Sequence, residues 1–151
     1  MKNEGDGMKR FLCALLVLCL IPVCVSAADF SDFNMYAYLF GEEEIDFASG
    51  VASGNFVICH SDGCTVSYKE EDGEVKTIVV EGDGLPFVAY AMAAIMFFEP
   101  DSSSYIINAG RFLSAFLLFR RDHEPVTRQV TLDTYFGIRD SEKGFLVLVG
   151  K

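Results

Sequence analysis

Tryptophan is absent from the 151 residues, histidine occurs twice and proline four times. Cations are scarce, with 12 Lys and Arg against 22 Asp and Glu, for a formal net charge of −10. So acidic a chain makes a poor partner for nucleic acid or an anionic membrane surface, because phosphate binding needs clustered Lys and Arg. Few prolines and only 13 glycines exclude a collagen-like or low-complexity chain. An apolar content of 51% excludes a disordered one. No apolar run reaches the ~20 residues that cross a bilayer as a helix. The length fits one domain with enough chain to bury a real core.

The first feature present is a leader. Lys9 and Arg10 precede an apolar run of 15 residues, Phe11 to Val25, broken by Pro22. Val25-Ser26-Ala27 supplies the small residues of a cleavage site, so residues 1–27 read as a signal peptide cut after Ala27. Glu4 and Asp6 are out of place in such a leader, and translation from Met8 would give a better basic start. Lipidation at Cys24 is the rival, but Val23 stands where a lipobox has a small residue. The leader holds three cations and two acids, which leaves nine cations against 20 acids and a net charge of −11 in the mature chain. The expectation is a secreted or extracytoplasmic protein, residues 28–151, with no membrane contact after cleavage.

Hydropathy patterning along 28–151 predicts an α+β domain. Asp29 to Phe40 has helical spacing, with Phe33, Tyr36, Ala37 and Phe40 on one face and Gly41 as its stop. Ala48 to Gly54 reads as a flexible small-residue loop; its spacing is wrong for a Gly-x-Ser-x-Gly elbow and it lacks the Lys of a phosphate loop. Strands follow at Asn55–Cys59, Thr65–Lys69 and Val75–Val80, joined by links carrying Asp62-Gly63 and Asp72-Gly73, a strong hairpin signal. A helix then runs from Gly84 to Phe98, with Asp83 as cap and no charge from Leu85 onward, as a buried helix requires. Asp101 or Ser102 caps a further helix to Phe119. Tyr105, Ala109, Phe112, Phe116 and Phe119 form its core stripe, with Ile106, Leu113 and Leu117 beside it. Val126 to Ile138 alternates as one long strand, and Phe145 to Val149 is the last. The predicted order is α-β-β-β-α-α-β-β, an antiparallel five-stranded sheet with helices packed on it.

Groups able to carry chemistry are few. Cys59 and Cys64 are the only cysteines of the mature chain, and in an exported domain the pair suggests a disulfide. Register decides it: a four-residue loop makes them directly opposed, whereas a two-residue Asp62-Gly63 turn puts Ser61 opposite Cys64 and leaves Cys59 diagonal. His60 and His123 both fall in polar links and read as solvated. Cys59, His60 and Cys64 are one ligand short of a structural zinc site, and the acidic clusters lack the calcium-loop pattern. No catalytic, cofactor or metal residue is therefore assigned. Phe145 to Val149 is apolar at every position, so both its faces want burial. The far face of the sheet, or its edge at Phe145 to Val149 with Phe145, Val147 and Val149 as interface residues, is accordingly expected to be closed by a second copy or another extracytoplasmic protein. The alternative is that the first helix and the loop around Ile45 and Phe47 cover it. The functional expectation is a small secreted module acting by protein or ligand binding. A small extracytoplasmic hydrolase with a concealed site is the alternative, and a holder of hydrophobic ligands between the two apolar helices a third reading.

Overall fold

The computed structural model describes residues 29–61 and 63–151, so the expectations for the leader, Met8 and Cys24 lie outside the described residues. The chain runs through α1 (Ser31–Leu39), a 3-10 turn at Phe47–Ser49, and strands β1 (Val51–Ser53), β2 (Phe56–Ser61), β3 (Cys64–Glu71) and β4 (Glu74–Gly82). Helices α2 (Gly84–Phe98) and α3 (Tyr105–Asp122) follow, then β5 (Val126–Gln129), β6 (Tyr135–Ser141) and β7 (Gly144–Gly150). The seven strands form one sheet in the order β1-β2-β3-β4-β7-β6-β5. Every pairing is antiparallel.

The mixed α+β class holds, and the five-strand expectation is corrected to seven. The loop expected at Ala48–Gly54 contains β1, a short edge strand whose Val51 pairs with Ile58. Such short, exposed edges resist strand-to-strand association. The long strand expected from Val126 to Ile138 is a hairpin, with Val126 opposite Ile138 and Gln129 opposite Tyr135. Its turn is built from hydroxyls rather than glycine. The Val130 amide bonds the Thr134 carbonyl at 2.8 Å, and the Thr131 and Thr134 hydroxyls both donate to Glu99 Oε1.

The three described helices cover one face. Along that face Cys59, Val66, Tyr68, Ile78, Val80, Val147, Val149, Phe136 and Ile138 are buried. Alternation makes these the inward set and sends their neighbours outward. Helix α2 is the centre of the molecule: ten of its fifteen residues are buried and none is charged. Asp83 starts it by accepting the Gly84 amide at 2.7 Å. No described helix is long and apolar enough to cross a membrane. Two aromatic clusters fill the layer. Phe30 stacks on Phe47 at 3.8 Å and meets Tyr68 at 4.7 Å near α1. Phe116 meets Phe145 at 5.1 Å and stacks on Phe112 at 5.9 Å beneath α3.

Ser61 pairs with Cys64 and Cys59 with Val66, so the two-residue link is the one adopted. The cysteines are therefore diagonal, where Cα atoms stand ~7–8 Å apart, beyond the ~4.4–6.8 Å that a disulfide spans. Both are buried free thiols, in place of the expected bond. Glycine accommodates Cys64: a Cβ on Gly82 would lie 2.5 Å from its Sγ.

Candidate functional site

Helix α3 buries one side and leaves the other bare. Phe112, Phe116 and Phe119 are buried against the sheet. Ile106 is 81% exposed, Ile107 57%, Leu113 41% and Leu117 65%. Ile106, Gly110, Leu113 and Leu117 follow one another at spacings of four, three and four, the rhythm of a helical seam facing a partner. Leu132, at the tip of the β5–β6 turn, is 92% exposed. Arg111 Nη1 donates to the Val130 carbonyl at 2.6 Å and holds that turn beside α3. Gln129 Nε2 donates to the Leu132 carbonyl at 3.0 Å. Ile106, Leu113 and Leu117 form an apolar ridge on the side of α3 away from the sheet, and Leu132 is a further exposed apolar residue on the turn that Arg111 ties to this helix. Arg111, Arg120 and Arg121 give this helix a net positive charge within an acidic chain.

The opposite side is the face of the sheet that none of the described helices covers. Val51, Ile58, Ser67, Val79, Leu148, Gly137 and Thr127 make one row across it by register. Gly137 opens a hollow in that row of ≈ 330 Å³, walled by Pro125, Thr127, Tyr135, Arg139, Leu146 and Leu148. Register explains this lining: Thr127 and Leu148 are the cross-strand neighbours of Gly137, Leu146 is that of Arg139, and Tyr135 and Arg139 flank Gly137 on its own strand.

The residues singled out in the sequence fall elsewhere. Val147 and Val149 have no exposure and lie under the helices in a central strand, which offers no free edge. Phe145 sits among Phe87, Phe116 and Phe119, with ring centroids 5.7, 5.1 and 6.0 Å away. Val147 and Val149 are core, and the half-buried Phe145 packs against it. The outward-facing residues of that strand are Leu146 and Leu148, both half-buried.

His60 is exposed on the bare face, with Nδ1 3.4 Å from Thr65 Oγ1. His123 takes a left-handed conformation that ends α3, and its Nδ1 is 3.4 Å from Asp140 Oδ2. On the inner face the Tyr90 hydroxyl donates to the Glu43 carbonyl at 2.9 Å, so Ser61 Oγ, 2.8 Å away, donates to it in turn. Asn34 grips Ile45 through both amide atoms at 3.0 Å. These two anchors pin the Glu42-Glu43-Glu44 segment, whose carboxylates complete no site with a histidine. Burial pushes the Cys59 thiol up to about 11, with the charge of Asp46 adding to it. Burial also raises Cys64. Thiols held protonated in this way are poor nucleophiles and poor metal ligands.

The exposed α3 ridge was half legible: Ile106, Leu113 and Leu117 stood beside the aromatic stripe, and a helix apolar on more than one side signals a second contact. The hollow at Gly137 needed the register of β5, β6 and β7. Comparison of the chain with family models, curated proteins and solved structures gives no match.

Proposed function

We propose that this protein is an exported α+β binding module that docks another protein through the α3 ridge. The observation carrying this reading is the ridge itself: Ile106, Leu117 and Leu132 are between 65% and 92% exposed on structured, hydrogen-bonded elements. Isolated exposed leucines are ordinary, but several exposed apolar residues along one side of a helix support a docking role. Covering each of these side chains is worth roughly 2 kcal/mol. The three arginines along the helix favour a partner whose apolar residues lie among acids. The leader pattern at Lys9 to Ala27 supports action outside the cytoplasm.

A photo-crosslinking residue at position 117 tests the proposal in the exported protein. The expected result is a discrete crosslinked species, lost when Ile106→Lys is added and unchanged by Lys69→Gln on the sheet face. Ile106→Lys lies on the exposed surface and leaves the melting temperature nearly unchanged. A chain that stays uncrosslinked from position 117, and monomeric by light scattering, overturns the proposal.

A further inference from the structure

We propose a small-ligand site in the hollow over Gly137, taking an amphiphilic anion: one carboxylate on a compact aromatic body. This site lies on the face opposite the α3 ridge and stands or falls separately from it.

Three features define the ligand. The first is space. At Gly137 a Cβ would meet only Thr127 Oγ1 at 3.6 Å and the Val126 carbonyl at 3.8 Å, so the hollow begins at the backbone. Its ≈ 330 Å³ lies at the lower end of ligand pockets. The second is an apolar body contact: the half-buried Leu146 and Leu148 form one wall, and Tyr135, 42% exposed, stands at the other end. A flat ring suits this slot, since aromatic faces stack well and order little chain.

The third feature is charge. Arg139 lines the hollow, and none of the described residues gives its guanidinium an ion pair or hydrogen bond. Two acids of the neighbouring sheet positions are engaged elsewhere. Asp140 points to the other face beside His123, and Glu81, two strands along the same row, lies 3.6 Å from Lys143 Nζ. Glu81 itself is separated from Arg139 by Leu146. A guanidinium exposed at the rim of the hollow and paired by none of the described residues offers its planar fork to a carboxylate from outside.

The test is titration of the mature chain with 1-naphthoate, followed by calorimetry and by amide chemical shifts. One saturable site is expected, with shifts confined to Thr127, Tyr135, Gly137, Arg139 and Leu148. Arg139→Gln should weaken binding about tenfold, the loss of a charge-assisted pair, with Arg139→Lys between. Gly137→Val should abolish binding by filling the hollow, and Gly137→Ala, which fits without a clash, should weaken it. The neutral isostere 1-naphthalenemethanol should bind about tenfold more weakly. A peptide ending in Phe with a free carboxylate tests the other source of this chemistry; tighter binding of naphthoate identifies a small molecule. Absence of saturable binding at millimolar naphthoate overturns the proposal. So does equal binding of acid and alcohol, or shifts that appear on α3 instead.

Discussion

Cys59 and Cys64 share the inner face of β2 and β3, and a two-residue difference in register decides their chemistry. With Ser61 opposite Cys64, the thiols are diagonal, and both are buried. A Cβ on Gly50 would come 2.9 Å from Cys59 Sγ, and one on Gly82 would come 2.5 Å from Cys64 Sγ. Glycine is needed at both places because the backbone itself lies over the sulfur. Desolvation holds Cys59 up at about 11 and raises Cys64 in the same direction. The folded state thus disfavours the thiolates relative to the unfolded chain. Their contribution is fully present below the unfolded value near pH 8–9 and is lost as pH rises toward about 11. The expected outcome is a melting temperature that falls from pH 9 upward, with the fall between pH 9 and 10 reduced in Cys59→Ala. Iodoacetamide at pH 8 should label neither thiol in the folded protein within the time that labels both in denaturant. Rapid labelling of the native protein would refute the burial argument, and two thiols that stay unlabelled in denaturant until a reductant is added would show a disulfide instead.

At the scale of elements, the instructive case is the segment from Val126 to Ile138. Val126, Val130, Thr134, Phe136 and Ile138 are buried, as one face of a strand would be. The hairpin pairs Val126 with Ile138 and Arg128 with Phe136, so like-numbered parity is preserved through the turn. Period-two hydropathy is then nearly identical for one long strand and for two short ones, and the exposed Arg128 and Leu132, the latter 92% exposed, are the residues of that parity that break the burial pattern. Thr131-Leu132-Asp133 contains no Gly, Pro or Asn to mark a turn, because tertiary bonds to Glu99 make it instead. The reverse case is β1, where Gly54-Asn55 between two apolar pairs was a readable hairpin signal hidden by small residues. The helices were legible because α2 lacks charge from Leu85 to Phe98 and α3 repeats its aromatics at helical spacing. Their placement on the same face of the sheet, with no described helix on the other, depends on long-range packing that periodicity does not encode. Thr134→Val should leave Glu99 short of a donor and cost about 1–3 kcal/mol, a drop of several degrees in melting temperature. Leu132→Ala should change stability by less than ~0.5 kcal/mol. Equal effects of the two substitutions would mean that the turn is not held by its threonines.

At the scale of the whole molecule, the start of the domain and the expected end of the leader meet at Phe30. Its ring is 6% exposed and lies between Phe47, at 3.8 Å, and Phe97, at 5.4 Å, with Tyr68 beneath. Phe30 thereby ties α1, the 3-10 turn, β3 and α2 into one cluster. Asp29 sets its direction by accepting the Ser31 amide at 2.9 Å. Cleavage after Ala27, as the export reading proposes, leaves this plug in place, whereas a cut only three residues later removes it. Loss of a buried phenylalanine costs ~3 kcal/mol, on the order of 10 °C in a domain of this size. A protein beginning at Ala28 should therefore melt well above one beginning at Ser31, and Phe30→Ala in the longer form should reproduce most of the difference. N-terminal sequencing of the exported product should read Ala28 or Asp29 first. A native N-terminus beyond Phe30, or equal melting of the two forms, would show that the domain closes without its first aromatic residue and that the leader ends elsewhere.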